Sequence, residues 1–318
     1  MNIVRIISIL VFSICLLTAA FYQPPLSDAV NYIDIFPNNE HWLTSIDWTW
    51  GVLTVRARVP VPEPIVNPSD PRYADPRYPS VRNYAQARLW AEQRARELVY
   101  CNMLEDVQKL PVTFNSKMND YLLLNKNFQR LAQERISKLP LNDLRYERDD
   151  NNNNSITVIA ELKLSLYGTD GLTGMMDPRE PITWFLPFST QKLPKIVIPE
   201  IVYSEAYPSI VIDARGLTVT PALAPNILDT HGTVIYRPEY VRPEAAITRG
   251  LVAYVKSSDF LSAAQRQAQN GIIVPALRTL PNNTTDLVIG EEWAQKIYSS
   301  PETQQALRNC MITIIIDD

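Results

Sequence analysis

The chain has 318 residues, with 30 Lys and Arg against 34 Asp and Glu, for a formal net charge of −4. This balance excludes a broad nucleic-acid surface, which needs clustered cations to displace counterions, so no nucleic-acid partner is expected. Nine glycines against 25 prolines exclude a chain rich in phosphate-cradling turns and favour stiff, extended connections.

Arg5 is the only charged side chain before the apolar run Ile6 to Phe21, and Thr18-Ala19-Ala20 supplies small residues for cleavage. Residues 1–20 therefore read as an export signal. The run is shorter than the roughly 20 residues of a membrane span, and an uncleaved N-terminal anchor is the alternative. Ile14 before Cys15 departs from the small residue that lipid-attachment sites carry there.

From Ile46 to Val59 the apolar Leu53, Val55, Ala57 and Val59 alternate with Thr54, Arg56 and Arg58. That period of two predicts a half-buried strand. A proline-rich insert follows over residues 60–79, in which Asp70-Pro71-Arg72-Tyr73 repeats as Asp75-Pro76-Arg77-Tyr78. Each residue before proline is driven to extended geometry, so Tyr73 and Tyr78 are candidate interface residues on a stiff surface loop.

Ser80 to Leu110 is a long helix signal, with Ser80 as the expected N-cap and Pro111 beyond its end. Ala87, Ala91 and Ala95 recur every four residues and Leu98 is taken to continue the row; Arg88, Glu92 and Arg96 form a solvated flank. Small side chains on that row let the helix approach a sheet closely. A second helix is predicted over 116–139, packing through Leu122, Leu123, Phe128, Leu131 and Ile136 and stopped by Pro140. Asp149 to Asn154 is a turn signal leading into a strand over 155–166, where Ile156, Val158, Ala160, Leu162 and Leu164 alternate with polar residues.

Residues 168–200 read as a second proline-rich connector carrying Trp184, Phe185 and Phe188 as further interface candidates. Residues 201–318 are β-rich, with strands expected at 209–214, 233–236, 250–255, 286–289 and 311–316 and helices at 260–269 and 291–299. The fold class is therefore α+β. An N-terminal helix-on-sheet domain over 21–167 is followed by a β-rich α+β domain over 201–318.

Little in this pattern carries chemistry. His41 and His231 have no cysteine or second histidine at ligand spacing, so no metal site is expected. There is no G-x-S-x-G elbow and no Gly-rich phosphate loop, and neither catalytic residues nor a cofactor are assigned. Cys101 and Cys310 are read as two buried free thiols, although export would permit a disulfide. The best polar candidate is Asp213-Ala214-Arg215-Gly216. An aspartate after three apolar strand residues can hold a ligand, pair with Arg215, or cap the turn that Gly216 makes.

The run from Gln86 to Leu104 joins an A-R-x-x-A-x-x-x-A pattern to an aromatic residue and Asn102-Met103-Leu104. With its flanking strands, over residues 46–166, it resembles the LPP20-type lipoprotein module, which also occurs in the N-terminal part of flagellar assembly protein T. The run Ile212 to Leu217, with Pro221 to Pro225 and Arg249 to Val252, is similar to a tail domain of longer members of that group. The resemblance implies an exported, non-enzymatic envelope protein, periplasmic or outer-membrane associated, with a structural or assembly role at a flagellum or another surface apparatus. It implies other envelope or flagellar proteins as partners. The close-packing helices and the apolar terminal strand suit self-association, so further copies of the chain are expected as partners, and the N-terminal segment, if retained, gives membrane association. Two alternatives stand beside it: a periplasmic ligand- or peptide-binding module using the Asp213–Arg215 turn, and an unrecognised hydrolase, for which His41 or His231 would be the base.

Overall fold

The computed structural model describes residues 41–74, 78, 81–149, 155–175, 206–257 and 271–318. The N-terminal segment, the expected Ser80 cap, the expected helix at 260–269, and Trp184, Phe185 and Phe188 lie outside them. In chain order the first elements are β1 (His41–Asp47), β2 (Val52–Pro60), α1 (Tyr84–Lys109), β3 (Pro111–Thr113), β4 (Ser116–Lys117), α2 (Met118–Leu124) and α3 (Lys126–Lys138). β5 (Asp143–Asp149), β6 (Ser155–Ser165), β7 (Ile210–Asp213), β8 (Ile227–Leu228), β9 (Val234–Tyr236) and α4 (Pro243–Arg249) follow. β10 (Ala253–Lys256), β11 (Ile272–Leu280), β12 (Asn283–Ile289), α5 (Glu291–Ser299), α6 (Pro301–Arg308) and β13 (Ile312–Ile316) complete the chain. The protein is α+β. Its described residues form two compact units that interleave along the sequence: 41–45, 54–105 and 133–163 in the first, and 46–53, 106–132 and everything from 164 in the second.

The first unit is built on a four-stranded sheet in the order β1-β2-β6-β5. Val55, Ala57 and Val59 of β2 and Val158, Ala160 and Leu162 of β6 have no exposed surface, as the alternation of period two requires. Between them on β2, Arg56 and Arg58 turn to the opposite face. Arg56 Nε lies 3.0 Å from Glu161 Oε2, Lys163 Nζ 3.0 Å from Glu161 Oε1, and Arg58 Nη2 3.1 Å from Glu147 Oε2. Glu161, 6% exposed, is the one buried charge of this ladder. Arg56, then Lys163, hold its carboxyl below the usual range against the opposing effect of burial.

Ala87, Ala91, Ala95, Val99 and Met103 of α1 are fully buried. The row continues at Val99 rather than at the half-buried Leu98, because it follows the i+4 ridge of the helix. The N-cap is Asn83, whose Oδ1 accepts the Gln86 amide at 2.9 Å. The expected solvated flank is partly engaged. Tyr146 of β5 donates its hydroxyl to Glu92, and the Arg88 guanidinium lies 5.7 Å from the centre of the Tyr146 ring. Cys101 on this helix is disulfide-bonded and Cys310 is free and buried, which corrects the expectation of two free thiols.

The second predicted helix is broken in two. Asn125 takes an extended backbone (φ −124°, ψ 92°) between α2 and α3, and its Oδ1 accepts the Phe128 amide at 3.0 Å. Its side chain thus offers the next helix an N-terminal acceptor in place of continuing the first.

The second unit carries a seven-stranded mixed sheet in the order β10-β13-β7-β11-β12-β8-β9. β10, β13, β7 and β11 run parallel. β11 pairs with β7 through Pro275 and with β12, antiparallel, from Ala276; proline, which cannot donate to a ladder, marks the change of partner. Three earlier stretches of chain complete the unit. The amides of Leu223 and Ala224 donate to the carbonyls of Pro111 and Val112 at 3.0 and 2.7 Å. The Ile247 carbonyl accepts from the Gly168 amide at 2.8 Å and the Thr173 hydroxyl at 2.7 Å. The Tyr167 ring fills a slot between Gly51 (φ +61°) and Gly250 (φ +79°), where a Cβ would lie 2.5 and 2.4 Å from ring carbons.

Candidate functional site

Ile210, Val211 and Ile212 are buried because β7 has a parallel neighbour on each side, with Ile210 in register with both Ile312 and Ile272. The strand therefore delivers Asp213 to the carboxyl rim of the sheet. Open α/β sheets place ligands along such rims. The Ala214 amide still pairs with the Ile315 carbonyl at 3.0 Å; Arg215 and Gly216 then reverse the chain, closed by the Leu217 amide on the Ala214 carbonyl at 3.2 Å. Gly216 has φ +80°, the left-handed conformation that the third residue of such a turn takes.

The polar groups of this rim engage one another. Arg215 grips Asp213 with Nε at 2.8 Å from Oδ1 and Nη2 at 2.6 Å from Oδ2, while its own amide reaches Oδ1 at 3.2 Å. The Arg215 side chain holds the Asp213 carboxyl below the usual range, with burial opposing it. Asp317, just past β13, accepts the Gly216 amide at 3.0 Å through Oδ2. Of the three readings of Asp213, the local ion pair and the capped turn are what the geometry contains.

Elsewhere, Tyr73 is held by Arg82. The guanidinium lies 3.8 Å from the ring centre and also donates to the carbonyls of Tyr73 and Ile65, each at 3.3 Å. Tyr78 is half-buried. His231 sits in an exposed turn fixed by Asp229, whose Oδ1 accepts the His231 and Thr233 amides at 2.9 and 2.8 Å. The His231 Nε2 is 3.2 Å from Glu291 Oε2. Among the described residues no group of three or more His, Cys, Asp or Glu is placed to hold a metal ion.

Sequence reasoning missed a cleft of about 480 Å³ along α6, lined by Pro208, Pro301, Glu302, Gln305, Ala306, Asn309 and Met311. Its walls come from the residues before β7 and from the α6–β13 segment, which only the parallel pairing of those strands brings together.

Residues 209–318 match a protein family described as the second domain of Treponema pallidum Tp0624. The match begins one residue before β7, ends with the chain, and so contains the whole Asp213–Arg215–Asp317 rim. No curated protein matches the chain.

Proposed function

We propose that the chain is a non-enzymatic, exported cell-envelope protein with a structural or assembly role, associated with a flagellum or another surface apparatus. The observation that carries this reading is the closed rim of the sheet, where Arg215 pairs with Asp213 and the Gly216 amide of the same turn donates to Asp317. These groups stiffen a turn with the charges that a catalytic site would hold ready for substrate. The likeness of residues 86–104 to LPP20-type modules, the export-signal pattern and the stiff proline-rich insert support the same reading. The test is fractionation of cells producing the tagged full-length chain, with mass spectrometry of the mature N-terminus and light scattering of the purified protein. Recovery in the envelope fraction as an oligomer is expected; a cytosolic monomer with an intact N-terminus would overturn the reading.

A second reading, a ligand- or peptide-binding module, is favoured by one observation: Asp213 sits at the carboxyl end of a central parallel strand. An Asp213→Ala variant that folds normally and keeps every partner captured by the native chain sinks it.

A further inference from the structure

We infer that residues 106–132 carry a docking surface for an anionic phospholipid bilayer, distinct from the apolar N-terminal segment. This stretch is an excursion into the second unit that forms β3, β4, α2 and the first half of α3. Met118 and Leu122 take the buried side of α2. Leu123 and Leu124 are left outward, 65% and 87% exposed, at the corner where Asn125 breaks the helix. Phe114, between β3 and β4, is 46% exposed. An adjacent pair of exposed leucines at a helix break is unlike the singly scattered apolar residues of ordinary surfaces.

The charge carried by this stretch of chain selects the occupant. The excursion holds Lys109, Lys117, Lys126 and Arg130 against Asp106 and Asp120, four minus two, a local +2 within a chain of net −4. Both carboxylates are engaged locally: Asp120 Oδ2 accepts the Lys117 amide at 2.8 Å, and Asp106 lies 3.2 Å from Lys109 Nζ. Protein interfaces deplete lysine at their centres. Apolar side chains flanked by lysines suit the boundary between acyl chains and anionic headgroups, where lysine stems lie along the apolar layer with the ammonium in the headgroups. Among the described residues no helix is long and apolar enough to cross a membrane, so the contact proposed is interfacial.

The inference rests on the envelope reading only for where such a bilayer is met. Its test is hydrogen exchange, resolved by peptide, on the full-length chain with vesicles of phosphatidylglycerol and phosphatidylcholine, and with phosphatidylcholine alone. Slowed exchange over residues 114–127 is expected with the anionic vesicles only, and reduced by salt. Losing the burial of two leucines predicts at least about a tenfold loss of vesicle co-sedimentation in a Leu123→Asn, Leu124→Asn variant. A Lys117→Glu, Lys126→Glu variant should lose the salt-sensitive part. Unchanged exchange over 114–127 would overturn the inference, whatever the N-terminal segment does. So would a vesicle-free dimer that the leucine variant dissolves, which would assign the corner to a second copy. Vesicle binding with cytosolic fractionation would overturn the envelope reading alone.

Discussion

Gly216 and Gly250 both have a positive φ, +80° and +79°, with ψ 171° at Gly250, and they differ in their surroundings. A Cβ at Gly216 would meet nothing within 4 Å, whereas one at Gly250 would lie 2.4 Å from the Tyr167 ring. Gly216→Ala should cost only the left-handed backbone, about 1–2 kcal/mol. Gly250→Ala should cost about 1–3 kcal/mol for a positive-φ extended backbone that glycine alone adopts readily, plus an overpacking penalty of about 1–3 kcal/mol. Urea unfolding of the two variants side by side checks the ordering; equal losses would show that Tyr167 moves aside freely. Cys310 gives a second residue-scale expectation. Burial pushes its thiol up to about 11 from an ordinary 9.0, partly offset by Tyr236 and Arg249. The unfolded chain therefore loses this proton first as pH rises. Stability from the buried neutral thiol is fully present below pH 9 and is lost towards pH 11. Over that window Cys310→Ala should flatten the fall in unfolding free energy relative to the native chain, and it also removes the part of the upward push on Tyr236 that comes from Cys310.

At the scale of elements, α1 depends on small side chains. Ala91 is fully buried in the first third of the helix, so Ala91→Leu should overpack the first unit and cost about 1–3 kcal/mol in thermal or urea unfolding. A neutral result would mean that the alanine row sets no limit on how closely the helix approaches. This row was legible in the sequence because its spacing is local and regular. So were β2, β6, β7 and β13, whose apolar runs or alternations match their burial. β5 was not, because Asp143-Leu144-Arg145-Tyr146-Glu147-Arg148-Asp149 carries charge at most positions. It is an edge strand, with Arg145 Nη2 3.1 Å from Glu147, and charge is how exposed edges avoid further pairing. β11 was hidden by Pro275, and the 116–139 helix was drawn too long because Asn125 caps as readily as it continues. The Asp213–Arg215 turn was readable because all its donors lie within a few residues. The Asp317 carboxylate that also holds it comes from 101 residues away, and the α6 cleft joins Pro208 to residues 301–311. Contacts of that range leave no local pattern.

For the whole molecule, the limits of the family match and those of the compact unit differ. Residues 209–318 share their unit with 46–53, 106–132 and 164–175. These supply the Pro111 and Val112 carbonyls, the Gly168 and Thr173 bonds to Ile247, and the Tyr167 ring. A fragment of residues 209–318 alone should therefore unfold at a markedly lower urea concentration, and with less cooperativity, than the full chain. Circular dichroism during titration reads both quantities, and a fragment as stable as the whole would remove those contacts from any role in holding the unit.

The interleaving also has a mechanical side. The backbone passes from one unit to the other at 45/46, 53/54, 105/106, 132/133 and 163/164, so five covalent crossings join them where a tandem pair has one. Tension applied to either unit divides among several strands, and one cut by a protease at any crossing leaves the rest in place. A component that must bear load between attachment points gains from such redundancy. In a single-molecule pulling experiment the two units should give way together, without the two separate extensions of beads on a string.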